Sequence, residues 1–145
     1  ENWAEILEVG LEDALVLSGD PLPVACVVHA GMLVIVRWVC AASEDRILAF
    51  AIGSLAREDS DETLVFRATD AQYVIADSAR PGEEFEQTLD VQLARGLYKV
   101  ETRWAKDAET SVVTHAFKRC QMVPKGLDAR ARHSPMEWWR AQWKG

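Results

Sequence analysis

The strongest constraint on this chain is a period-two pattern in residues 89–117. Leu89, Val91 and Leu93 alternate with Asp90, Gln92 and Ala94, and Tyr98, Val100, Thr102 and Trp104 alternate with Lys99, Glu101 and Arg103. Successive side chains of a strand point to opposite faces, so this spacing predicts half-buried strands and not a helical stripe. Arg95-Gly96 separates the first two strands, residues 105–110 form a loop, and residues 111–117 return. The expected unit is a meander of three antiparallel strands, each with one wet and one buried face.

Other strand signals lie upstream. Residues 24–28 and 32–39 are apolar, β-branched runs on either side of Ala30-Gly31, broken only by Arg37. Runs of that kind suit central strands. Residues 6–9 and 14–17 flank a turn-like Gly10-Leu11-Glu12-Asp13 and predict a hairpin, and residues 64–68 and 73–76 add two short strands. Residues 43–55 can be read two ways. Ile47, Leu48, Ala51 and Leu55 share a helical face, Ser43 can cap it, and Glu44 and Asp45 suit its first turn. Residues 47–52 also fit a strand, and Gly53 weakens a helix. The helix is the preferred reading.

Residues 118–145 differ in character, with seven basic and two acidic side chains. Ser134-Pro135-Met136-Glu137 has the spacing of a capping box with Pro at the first helical position, and Met136, Trp139 and Trp143 follow on one helical face. The expected fold is therefore β-dominated α+β. It would be an antiparallel β-sandwich-like sheet with one or two short helices, including a C-terminal helix. Residues 1–120 would form a single β-rich domain, and residues 121–145 a basic, Trp-rich tail whose short helix packs on it.

Charge and composition narrow the function. The chain of 145 residues has a formal net charge of −7, with 18 acidic and 5 basic side chains in residues 1–93 against 5 and 11 in residues 94–145. An acidic body repels phosphate, so nucleic acid is not an expected partner. The longest apolar run, residues 47–52, is far short of a membrane helix, and the acidic start Glu1-Asn2-Trp3-Ala4-Glu5 lacks the apolar core of a signal peptide. Cys26, Cys40 and Cys120 are odd in number and have no Cys-x-x-Cys pairing, which favours a reducing cytoplasm. Cys26 and Cys40 sit in apolar runs and read as buried thiols.

Catalytic signals are sparse. His29, His115 and His133 have no neighbours at metal-ligand spacing, and neither a Gly-rich phosphate loop nor a Gly-x-Ser-x-Gly elbow is present. No metal, cofactor or catalytic residue is expected. His115 reads as a strand histidine hydrogen-bonded to a neighbour. An enzyme would need His115, Cys120 and a carboxylate to come together in the fold. Two carboxylate clusters are candidate partner-binding surfaces, namely Glu58, Asp59, Asp61 and Glu62, and Glu83, Glu84 and Glu86. Such clusters also serve simply as solvated loop charge. As a recognition surface, an acidic face steers and selects a basic partner. Of the six tryptophans, Trp38 and Trp104 read as core, while Trp138, Trp139 and Trp143 cannot all face inward from one short helix. Those three are a candidate secondary interface, either on the domain or between two copies in a homodimer. A carbohydrate- or small-ligand-binding β-sandwich using exposed tryptophans is the alternative reading.

The stretch of residues 14–23 (ALVLSGDPLP), then residues 33–39 (LVIVRWV) and Ser43-Glu44, resembles the immunity protein 21 family of bacterial polymorphic toxin systems. Residues 73–77 (YVIAD) before Pro81-Gly82, and residues 96–100 (GLYKV), continue the resemblance, which spans about residues 10–120. The resemblance implies a cytoplasmic, non-enzymatic antitoxin that neutralises a cognate toxin domain by direct stoichiometric binding. A basic nuclease is one such toxin. It implies no catalytic residues.

Overall fold

The computed structural model describes residues 4–9, 12–17, 23–75, 89–122 and 132–133. Its elements are β1 (Ala4–Val9), β2 (Glu12–Leu17), β3 (Val24–His29), β4 (Met32–Cys40), α1 (Glu44–Leu55), β5 (Glu62–Ala68), β6 (Gln72–Ile75), β7 (Leu89–Gln92), β8 (Gly96–Lys106), β9 (Ser111–Cys120) and β10 (Arg132–His133). The β-dominated α+β class with antiparallel sheets is what the sequence predicts. The expected C-terminal helix, with Trp138, Trp139 and Trp143, lies outside the described residues.

The centre is a five-stranded sheet in the order β3-β4-β9-β8-β5, every neighbouring pair antiparallel. β1 and β2 form the predicted hairpin, and β10 joins β1 in parallel to make a three-stranded sheet. The meander is corrected in two ways. β7 pairs with β6 in a separate two-stranded sheet, and only β8 and β9 are neighbours. Nor does each strand have a wet face. Residues 111–117 of β9 are all buried, because the central sheet is covered on both sides.

Alternation assigns the two faces. One face packs Ile35, Leu64, Phe66, Tyr98, Val100 and Phe117 against Ala4 and Ile6 of β1 and Leu93 beyond β7. The other packs Val34, Val36, Val112 and Ala116 against Ile47 and Ala51 of α1. Edge-to-face rings join Phe66, Phe117 and Tyr98 at centroid distances of 5.9 and 6.3 Å.

The helix forms as the capping signals require. Ser43 is extended (φ −158°, ψ 162°), its Oγ accepts from the Arg46 N–H at 3.3 Å, and Glu44 and Asp45 occupy the first turn. β4 ends and β5 begins at the same end of the sheet, three strand spacings apart, or about 14 Å. A helix of 12 residues is about 18 Å long. It is long enough to span that separation, and it packs on β9, β8 and β4.

Turns fix the register. Ala30 (φ 50°) and Gly31 (φ 76°) make the two-residue connection of β3 to β4, both in the left-handed region that matches strand twist. A register shift between Trp38 and Cys40 leaves Val39 65% exposed. Cys40 is exposed and Cys26 half-buried, so neither is the buried thiol expected of an apolar run. Both lie at a strand end or sheet edge, where alternation no longer guarantees cover. No helix among the described residues is long and apolar enough to cross a membrane.

Candidate functional site

One end of the central sheet gathers three connections: residues 41–43 leading into α1, residues 56–61 between α1 and β5, and residues 107–110 between β8 and β9. Glu44, Asp45, Glu58, Asp59, Asp61, Glu62, Asp107 and Glu109 lie there, with Arg46, Arg57 and Lys106 as the bases. Sequence order scatters these carboxylates over some 65 positions, and antiparallel topology collects them.

The carboxylates divide by what they touch. Asp61 holds the fold: its Oδ2 accepts from the Trp104 N–H at 2.6 Å and its Oδ1 lies 3.5 Å from Arg57. Glu62 accepts from the Ala4 N–H at 3.0 Å, which ties β1 to the sheet. Asp107 closes the β8–β9 turn. Its Oδ1 accepts from the N–H groups of Glu109 and Thr110, its Oδ2 meets Arg46 at 3.3 Å, and these contacts lower its pKa. Glu44, Asp45, Glu58, Asp59 and Glu109 face solvent. Of these, Asp59 lies 3.6 Å from Arg57 and is 83% exposed. Glu83, Glu84 and Glu86 lie outside the described residues.

Beside the loop stands Trp104, 44% exposed and not the core residue its strand position predicts. It lies near the end of β8, past the cover that β1 and β2 give the sheet. Its placement is fixed: Arg57 donates to its carbonyl at 3.1 Å, and its ring Nε1 donates to Ser111 Oγ at 3.1 Å. Trp38, the other expected core tryptophan, is half-buried against the helical side of the core. A large aromatic held rigid among carboxylates, with Val39 also exposed at this end, has the make-up of an interface anchor with a polar rim. The sequence signal missed was position: Trp104 is the last aromatic residue of its strand, two residues before its end.

Two polar groups lie deeper. His115 is fully buried and its Nδ1 pairs with Thr102 Oγ1 at 2.8 Å, as a strand histidine was expected to do. Burial, with help from the Arg37 charge, lowers its pKa to about 3, so it is neutral at physiological pH. Burial lowers the Arg37 pKa too. On the opposite face Glu101, 6% exposed, accepts from Lys118 Nζ at 2.8 Å, Lys99 Nζ at 2.9 Å and Arg103 Nη2 at 3.0 Å. Arg103 also donates from Nε to the Asp59 carbonyl at 3.1 Å, which anchors the acidic loop to the sheet. Alternation puts Glu101 and His115 on opposite faces of the sheet, so they do not form an acid–base pair. Among the described residues, no cluster of three His, Cys, Asp or Glu side chains could hold a metal ion.

Residues 1–111 match the model of the family described as Immunity protein 21, and the chain belongs to that family. The match includes the acidic connections up to Glu109 and the Trp104 platform, and ends at the first residue of β9. Neither the curated proteins nor the solved structures contain a match to the chain.

Proposed function

We propose that this immunity protein neutralises a cognate toxin by direct, stoichiometric binding through the acidic end of its central sheet, with no catalytic step. The observation that supports this most is the juxtaposition of a rigidly held, exposed Trp104 with outward carboxylates from the first turn of α1, the α1–β5 connection and the β8–β9 turn. Glu58 and Asp59 remain central, joined by Glu44, Asp45 and Glu109. Asp61 and Glu62 serve the same surface by holding its loop. The fitting partner is a basic toxin domain. A nuclease is one such domain, since carboxylates can occupy positions built for phosphate and steer the encounter. The three free cysteines fit a reducing cytoplasm as the place of action.

The test is co-purification and calorimetry with the toxin domain encoded beside this chain. Glu58→Lys, Asp59→Lys and Glu109→Lys together should weaken binding at least about 100-fold and abolish protection of toxin-expressing cells, while 1:1 stoichiometry holds for the unmodified protein. Unchanged affinity and protection would remove the acidic end from the mechanism.

A further inference from the structure

The two edges of the five-stranded sheet are finished differently. At β5, the Arg67 N–H donates to Asp13 Oδ2 of β2 at 2.8 Å, and the β1–β2 hairpin packs alongside. At β3, no strand among the described residues pairs with the outer side. The Ala30-Gly31 turn determines which backbone groups are left there. In a two-residue hairpin the residues flanking the turn exchange both hydrogen bonds, so His29, Val27 and Ala25 bond to β4. The Trp38 N–H donating to the Pro23 carbonyl at 3.4 Å continues the same alternation. Val24, Cys26 and Val28 therefore turn their N–H and C=O groups to the open edge.

Among the described residues, β3 itself carries neither the charges nor the bulge that commonly protect an edge. β3 contains no Lys, Arg, Asp or Glu, it pairs with β4 without a bulge, and Val28 is 76% exposed.

We propose that β3 is the contact of a homodimer, pairing antiparallel with the same strand of a second copy about a twofold axis at Cys26. Two requirements set that register. Outward-bonding residues must meet outward-bonding residues, and opposed side chains must share a face. Centred on Cys26, Cys26 opposes the partner's Cys26 and Val28 opposes the partner's Val24, so every outward N–H and C=O of Val24, Cys26 and Val28 is used. Val28, opposed by Leu33 on the β4 side, gains the partner's Val24 as an apolar neighbour on its outer side.

Charge and position select a second copy over the toxin. The strand is neutral, so it does not repel itself. The acidic loop before β5 is on the far edge, four strand spacings or about 19 Å away. The twofold joins two five-stranded sheets and points their acidic ends in opposite directions, which leaves both open to toxin.

Sedimentation equilibrium of the full chain should give a mass near twice the 16.2 kDa of one copy. Val28→Lys should raise the dimer dissociation constant at least about tenfold with unchanged circular dichroism and Tm, while Val28→Thr stays dimeric. With Cys40→Ser and Cys120→Ser, Cys26 is the sole thiol. Copper phenanthroline at alkaline pH, chosen because burial raises the Cys26 pKa, should then give a covalent dimer. A hydrogen-bonded antiparallel pair has Cα atoms about 5.5 Å apart, within disulfide reach. A monomer at about 100 μM, a dimer indifferent to Val28→Lys, or no Cys26 cross-link would overturn the proposal. So would a monomer that loses toxin affinity on Val28→Lys, which would assign the edge to the toxin.

Discussion

Glu101→Gln removes one charge from the middle of the sheet and leaves its shape. Burial by itself would raise the Glu101 pKa, but hydrogen bonds from Lys118, Lys99 and Arg103 outweigh it and hold the value at about 2 instead of 4.5. At about 1.4 kcal/mol per pKa unit, that difference is about 3 kcal/mol of folding stability. The folded pKa is the lower one, so the stabilisation is complete above pH 4.5 and drains away as pH falls toward 2. Gln cannot carry the charge and leaves Arg103, 1% exposed, near two lysines without a counter-ion. The expected loss at pH 7 is about 3 kcal/mol, the low end for breaking a buried ion pair. Urea unfolding followed by tryptophan fluorescence, run on both proteins from about pH 7 to pH 3, measures it. The stability difference should be largest at neutral pH and shrink below pH 4.5. His115 titrates in both proteins and cancels in the difference. A difference below about 0.5 kcal/mol at pH 7, or one that stays constant down to pH 3, would refute the charge balance derived for this cluster.

His115 gives a second acid-sensitive window. Its folded pKa of about 3 lies below the ordinary 6.5, so stability is complete above pH 6.5 and falls as pH drops through that range; His115→Gln should flatten this limb in urea midpoints taken from pH 7 to 4. Gly53 lies inside α1 with nothing within 4 Å of where a Cβ would sit, so Gly53→Ala should stabilise the protein by about 0.5–1 kcal/mol, read as a rise in Tm. Trp104→Ala should cost about 2 kcal/mol or more of toxin binding by calorimetry, and far less in folding stability because the ring is half outside the core.

The strands of this fold are legible because side-chain alternation is a local property. Val100 and Thr102 against Glu101 and Arg103 announces β8 without any knowledge of its neighbours. The helix is nearly as legible, since Ser43 caps the turn that Glu44 and Asp45 begin. Pairing is not legible. Leu89, Val91 and Leu93 alternate as clearly as β8 does, yet β7 leaves the meander for β6. Nor does alternation reveal cover. Glu101 and Arg103 occupy the positions that sequence assigns to solvent, yet the face they point from is the one on which α1 packs.

The candidate surface follows the same division. Glu58, Asp59, Asp61 and Glu62 stand out as an acidic run, but composition cannot say which of them are committed to backbone N–H groups. Glu44, Asp45, Glu109 and Trp104 join them only because β4, β8 and β9 share an end of the sheet. The chain's own pattern thus determined that it would be a β-dominated domain with a capped helix, an acidic body and a family resemblance. Tertiary structure decided which strands are neighbours, which carboxylates face outward, and that Trp104 is exposed while Glu101 is buried. The reason is physical. Backbone geometry and helix capping act within a few residues, whereas burial and charge pairing depend on which distant segments come to lie within a few ångströms.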